Sequence, residues 1–253
     1  MKRIDVTFTA HELADYDVDE TGVIVVDILR ASTTVVAALA AGASAIYPVS
    51  TPTAARRLKN AQAILIGGER GGYRLSGFDF GNSPGEYVPK RVADRLIILT
   101  STNGTRAFLS ASRAPEAVVG AYTNFTRTVE WMRDCSLDRI VISCAGSQSG
   151  ASIAPEDVLF AGHLVEHLGD DWRRTPAAEI AKGYAQNKGH CLTDLLFNLP
   201  AGKRLSAMGL DDDVCWAGQW DRDEMLPTIR TLPGQEPGFD VLINAFENPE
   251  ITS

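Results

Sequence analysis

The chain reads as an α/β protein: a mostly parallel sheet, or sheets, with helices on both faces, arranged as one domain or as two related lobes. Three observations predict this. Short runs of β-branched and aliphatic residues, Val23–Val26, Leu96–Leu99 and the segment Arg139–Cys144, are apolar enough to be strands buried on both faces. Helix-forming segments alternate with them, which implies parallel pairing through crossover helices. Three of the strands end in loops of small hydroxyl and glycine residues: RASTT at 30–34, TSTNGTR at 100–106 and AGSQSGAS at 145–152.

Taken in order, MKRIDVTF opens directly into a strand with no apolar leader segment, so the reading expects no signal peptide. VIVVDILRASTT at 23–34 is the anchor. Its strand ends on Asp27, Arg30 follows three residues later, and Ser32, Thr33 and Thr34 are N-cap candidates for a helix over 35–41. Gly42 ends that helix, Ala45–Val49 is a second strand, and Thr51 or Thr53 caps a helix through Leu58. Ala63–Ile66 is a third strand that runs into GGERGG at 67–72, from which an irregular passage extends to about Gly85. After Leu96–Leu99 come a short helix, the strand 118–120, a helix near 126–133, and the strand 139–144. Pro155–Leu168 is a helix with proline in its first turn and Glu156 and Asp157 at its positive end. Thr175 caps another over 176–186, and short helical pieces follow near 192–198 and 203–208. Two lobes are expected, 1–146 carrying the Asp27, Glu69 and Asn103 loops and a helix-rich 147–253, although no flexible linker separates them.

Bulk properties narrow the function. The chain has 253 residues and a net charge of −8, against nucleic acid or an anionic membrane surface as main partner. No apolar run reaches the ~18 residues of a spanning helix. The four cysteines form no CxxC pair and have no metal-ligand spacing, as expected of reduced thiols in a cytoplasmic protein. An acidic protein that handles an anion needs a local basic cluster or a divalent cation. Loops of small residues at strand ends, where ligands bind in open α/β sheets, offer many N–H and O–H donors to phosphate or sulfonate oxygens.

The candidate chemistry lies in acids and arginines near those loops. Asp27, Glu69 and Asp79 form an oxygen-ligand set suited to Mg²⁺, and Asp157 is placed to reach the same rim. Each has a plainer reading. Asp27 can cap a helix, Asp79 can make turn hydrogen bonds in a loop packed by Phe78 and Phe80, and Glu156 and Asp157 can simply favour the helix dipole. GGERGG is neither a dinucleotide fingerprint nor a P-loop. His163 and His167 do not have the HExxH order, and a helix face accounts for them better than zinc. There is no GxSxG elbow for a serine hydrolase. A haloacid-dehalogenase scheme needs a second Asp at position 29, which is Leu29.

VVDILRASTT, GGERGG, GFDFGNSP, TSTNGTRA and the segment from CAG through PEDVLFAG closely resemble the 2-phosphosulfolactate phosphatase family of coenzyme M biosynthesis, in the same order and over about residues 4–227. The resemblance implies an α/β fold and a Mg²⁺-dependent phosphatase acting on phosphate monoesters of 2-hydroxycarboxylic acids. Its small departures are Ile28 in place of a common valine, and Pro155 before the Glu156–Asp157 pair. It matches less clearly beyond Asp213. On this reading Asp27, Glu69, Asp79 and Asp157 are candidate metal ligands. Asp27, Arg30, Glu69 and Arg70 carry the catalysis. Ser32, Thr33, Asn103, Gly104, Thr105 and Arg106 bind substrate, with the arginines neutralising phosphate and a carboxylate or sulfonate. The partner is a small anionic phosphate ester, and Trp216 and Trp220 suit equally a core or a contact in a homo-oligomer. A non-catalytic protein that merely holds such an anion is the alternative.

Overall fold

A computed structural model describes residues 1–59, 64–186, 191–232 and 241–245. The chain runs β1 (Arg3–Thr7), α1 (Ala10–Ala14), β2 (Thr21–Val26), α2 (Ala31–Ala40), β3 (Ala45–Pro48), α3 (Pro52–Leu58), β4 (Ile64–Arg70), β5 (Tyr73–Arg74), α4 (Pro89–Val92), β6 (Leu96–Thr100), α5 (Gly104–Ala111), β7 (Glu116–Gly120), α6 (Phe125–Asp134), β8 (Arg139–Cys144), α7 (Pro155–Glu166), β9 (Arg173–Arg174), α8 (Pro176–Gln186), α9 (Leu192–Asn198), α10 (Pro200–Ala207), α11 (Asp211–Ala217), β10 (Pro227–Thr231) and β11 (Val241–Ala245). No helix among the described residues is long and apolar enough to cross a membrane.

The strands form one sheet in the order β5-β4-β6-β3-β11-β10-β7-β2-β8-β1-β9. Two parallel groups, β4-β6-β3 and β7-β2-β8-β1-β9, are joined by the antiparallel hairpin β10–β11. Strand β2 shows why both faces are covered. Its alternate residues Ile24 and Val26 pack into a cluster with Phe125 of α6 and Phe160 of α7, while Val23 and Val25 pack with Leu13 of α1, Val35 of α2 and Phe108 of α5. With apolar side chains required on both sides, the strand reads as an unbroken run rather than an alternation.

Several boundaries differ from the expected ones. Helix α2 begins at Ala31, so Ser32, Thr33 and Thr34 lie in its first turn instead of capping a later one. Strand β4 continues through Gly67, Gly68, Glu69 and Arg70 and turns back at Gly71–Gly72 into β5. The glycines are strand residues because neighbours come very close: a side chain at Gly67 would run into the Tyr87 hydroxyl, and one at Gly68 into the Thr100 carbonyl. The expected start of this strand at Ala63 lies outside the described residues. The tail supplies β10 and β11, which its proline-rich composition did not suggest.

The topology also changes the expected geometry of the site. The three hydroxyl-rich loops were expected on one rim, as ends of parallel neighbours. Because β10–β11 pairs antiparallel to both β7 and β3, the two parallel groups run in opposite senses. Their carboxyl ends nevertheless line one cleft, from Asp27 and Gln148 on one side to Glu69 and Thr102 on the other.

Candidate active site

Asp27 directly follows the buried run of β2 and is itself 6% exposed. Its turn is tightly bonded: the Asp27 N–H donates to Ser32 Oγ at 2.8 Å, the Ser32 N–H donates to the Asp27 carbonyl at 2.8 Å, and the Ala31 N–H donates to Asp27 Oδ1 at 3.2 Å. The Leu29–Arg30 peptide bond within this turn is cis. Gly104, at the start of α5, lies so close that a Cβ there would sit 2.7 Å from Asp27 Oδ2. Burial pushes the Asp27 carboxyl up to about 7, and the charges of Glu69 and Glu156 push the same way, against the Ala31 N–H and Arg30.

Two further acids adjoin it from α7. Asp157 clasps two loops together, Oδ1 accepting from the Ile28 N–H at 2.9 Å and Oδ2 from the Gly146 N–H at 3.3 Å. Burial raises its pKa well above the usual range, and Asp27 and Glu156 add to this. Glu156 is also buried and raised, opposed by Arg204, and its Oε2 has no hydrogen-bond partner. Asn82 Oδ1 and Thr102 Oγ1, both from residues lining the cleft, are likewise buried without partners. Unpartnered buried oxygens are costly and point to a group that completes them.

Glu69, near the end of β4, ties the β4–β5 turn to the loop after β6: Oε2 accepts from the Gly72 N–H at 2.8 Å and Oε1 from the Thr102 N–H at 2.7 Å. Arg30 is held from three sides. Its guanidinium donates to Asp213 Oδ2 at 2.6 Å, to the Gly72 carbonyl at 2.7 Å and to Ser83 Oγ at 3.2 Å. Asn103 Oδ1 accepts from the Ser149 N–H at 2.9 Å, joining the loop after β6 to the loop after β8. The cavity so enclosed is about 170 Å³, lined by Asp27, Arg30, Glu69, Asn103, Gln148 and Arg204 among others.

The structure therefore brings together Asp27, Arg30, Glu69 and Asn103, with Gly104 against Asp27 and Asp157 just behind. Asp79 is elsewhere and is corrected as a member of this set. Its carboxylate accepts from the Ile66 N–H at 2.9 Å and pairs with Lys59 at 3.0 Å, so it secures the loop onto β4. Ser32 and Thr33 are also corrected as substrate-binding side chains. Both are fully buried; Ser32 Oγ serves the Asp27 turn, and Thr33 Oγ1 donates to the Ile28 carbonyl at 2.8 Å. Thr105 exchanges hydrogen bonds with Ser101, and Arg70 and Arg106 line an adjoining cavity. His163 is bonded to the Tyr122 hydroxyl at 2.9 Å, and burial lowers its pKa to about 4, consistent with a packed helix face.

Sequence reasoning missed Gln148, Arg204 and Asp213. The DDD run at 211–213 looks like an ordinary acidic first turn, and only Asp213, 5% exposed, reaches the site. Arg204 sits on a helix of mixed composition, and nothing local marks it.

Buried carboxylates and an anchored guanidinium gathered at strand ends in one cleft give this α/β protein the outline of an enzyme site for a small anion. The chain belongs, more particularly, to the 2-phosphosulpholactate phosphatase family, whose sequence profile matches residues 7–231. Among its curated relatives, a protein of Pseudothermotoga lettingae is 37% identical over 89% of this chain and 95% of its own length. One of Carboxydothermus hydrogenoformans is 33% identical over 89% of this chain and 92% of its own. A third, of Synechococcus sp., is 36% identical over 81% and 86%. Each bears the name "Probable 2-phosphosulfolactate phosphatase".

Proposed function

We propose that this chain is a Mg²⁺-dependent phosphatase that hydrolyses phosphate monoesters of small 2-hydroxycarboxylic acids, 2-phosphosulfolactate-like, to the hydroxy acid and inorganic phosphate. The observation that carries this reading is the cleft, where Asp27, Glu69, Arg30 and Arg204 line one space of about 170 Å³. The relatives' printed names support the substrate class.

The donor set fits magnesium. The oxygens lining the cleft include those of Asp27 and Glu69 and the unpartnered Asn82 Oδ1 and Thr102 Oγ1, and Mg²⁺ takes oxygen ligands. Burial beside Glu69 and Glu156 disfavours the charged Asp27 carboxylate, and a cation there would offset this. Among the described residues no three His, Cys, Asp or Glu side chains stand ready as a cage. A magnesium ion here would be held by one or two carboxylates and completed by water and substrate. Asp27 is the first-choice ligand, with Glu69 and Asp157 adjoining. When bound, magnesium supplies positive charge against that developing on the phosphate oxygens.

The chain's own residues do the rest. Arg30, immobilised by Asp213, Ser83 and the Gly72 carbonyl, presents a fixed positive charge to the phosphate. Arg204 adds a second positive charge from α10, and Ser101, Thr102 and Asn103 line the same cleft. Positioning and charge stabilisation of this kind dominate phosphoryl transfer. Water is taken as the phosphoryl acceptor, because the aspartyl-nucleophile scheme requires an acid where this chain has Leu29.

The test is phosphate release from 2-phosphosulfolactate, phospholactate, phosphoglycerate and an aryl phosphate, each with Mg²⁺ and with EDTA. Release that requires Mg²⁺ and favours the hydroxyacid esters is expected. Release indifferent to EDTA removes the metal from the reading, and no release from any ester leaves an anion-binding protein.

A further inference from the structure

Beside the carboxylate cleft lies a second cavity of about 620 Å³, and the two meet at Ser101 and Thr102, which line both. Arg70, Arg106 and Arg113 line this basin together with serine and threonine hydroxyls, and no acidic side chain does. The partners of the three arginines are uncharged oxygens or a ring. Arg70 donates to the Glu69 and Ser50 carbonyls and to Thr100 Oγ1, and Arg113 to the Ser110, Leu13 and Ala14 carbonyls. Arg106 meets the His11 ring. Among the described residues none of the three forms an ion pair with a carboxylate. Carbonyls orient a guanidinium without cancelling its charge. In a chain of net charge −8, three such groups around one hollow are a local reversal of sign.

We infer that this basin binds the second anionic group, sulfonate or carboxylate, of the substrate whose phosphate occupies the carboxylate cleft; the inference rests on the phosphatase reading. The two cavities divide the chemistry. The cleft combines carboxylates with Arg30 and Arg204, as a metal-assisted phosphate site requires, whereas the charged groups lining the basin are arginines, set among hydroxyls and the apolar Ala14 and Leu109. Sulfonate and carboxylate keep their charge at any physiological pH, need no metal, and match the arginine fork. Because Ser101 and Thr102 line both cavities, the two sites adjoin, as the two anions of one small molecule require. Since the basin is far larger than a single sulfonate, charge rather than shape selects the ligand there, and sulfonate and carboxylate esters are both accepted.

The inference is tested on the full chain with Arg106→Gln and Arg113→Gln, from different points of the basin, and with Arg113→Lys. For 2-phosphosulfolactate and phospholactate, each Gln variant is expected to lower kcat/KM by about tenfold or more, mainly through KM, the scale of one lost charge-assisted hydrogen bond. For 4-nitrophenyl phosphate, which has no second anion, the loss is several-fold smaller, and Arg113→Lys recovers most of the affinity. Equal losses on all three esters, or none, overturn the inference. Calorimetric binding of sulfolactate separates the two readings. Binding that survives Asp27→Asn and fails in both Gln variants upholds the basin even if the wild type releases no phosphate from any ester. Binding indifferent to both arginines sinks the basin even if phosphate release is normal.

Discussion

Replacing Asp27 by asparagine removes a charge while nearly preserving a shape, and its consequences for stability and for catalysis have opposite signs. The Asp27 carboxyl is raised from 3.8 to about 7, chiefly by burial. Its folded value lies above its unfolded one, so the folded protein holds the proton more tightly and ionisation works against folding. The metal-free wild type therefore loses stability as pH rises from about 4 to about 7, and the loss is complete above that. A gap of about three pKa units corresponds to about 4 kcal/mol at pH 8, and to between about 1 and 2 kcal/mol at pH 5, where the folded group is still protonated. An asparagine bears no such charge, and its amide oxygen can still accept from the Ala31 N–H. The metal-free variant is expected to be more stable than metal-free wild type by up to about 4 kcal/mol at pH 8, or roughly 8–16 °C in Tm for a chain of this size, and by less than half of that at pH 5. The same variant is expected to have lost phosphatase activity, the usual relation between a strained functional group and stability. Scanning calorimetry in EDTA at the two pH values, beside phosphate release in Mg²⁺, measures both. A variant no more stable at pH 8, or shifted equally at both pH values, refutes the picture of a buried charge waiting for a counter-ion. Undiminished turnover removes Asp27 from the chemistry.

Other substitutions probe the supports around it. Asp213→Asn leaves the guanidinium of Arg30 buried without its counter-charge, and breaking such a pair costs about 3–5 kcal/mol; a lower Tm with a raised KM is expected, and an unchanged KM shows that Arg30 does not need this anchor. Glu69→Gln puts an amide donor where Glu69 now accepts from the Gly72 and Thr102 N–H groups, so one hydrogen bond is lost, at about 1–3 kcal/mol in urea denaturation, with a drop in kcat/KM as the two loops separate. Gly104→Ala brings a methyl group to 2.7 Å from Asp27 Oδ2 and against Ala31 as well; circular dichroism close to wild type with about a hundredfold loss of kcat is expected, and full activity shows that Asp27 has room to move.

The residues legible from the chain alone were those whose environment is made by their own strand. Asp27 follows a run buried on both faces, so its burial and its place at a strand end could be read locally. Glu69 was legible for a related reason: glycines on either side announce close backbone approach, although the segment is a strand and not a loop. Asp79 looked equivalent because an acid between two aromatics in a turn has the same local pattern whether it faces a site or holds its own loop. Only its distance partners, Lys59 and the Ile66 N–H, decide between the two. Ser32 and Thr33 failed in the same way, since a hydroxyl near an acid can point out to a ligand or inward to the turn.

Residue patterning by itself thus determined the α/β class, the strands β2, β6 and β8, and the pairing of acid with arginine after β2, because periodicity and composition act over a few neighbouring residues. Tertiary structure alone decided that β10 and β11 separate two opposed parallel groups, that Asp213 anchors Arg30 and Arg204 lines the cleft, and that Asp79 does not. Those outcomes depend on hydrogen bonds and charge contacts between residues as much as 183 positions apart, as in Arg30 and Asp213, and no local preference encodes which distant partner an acid or arginine will meet.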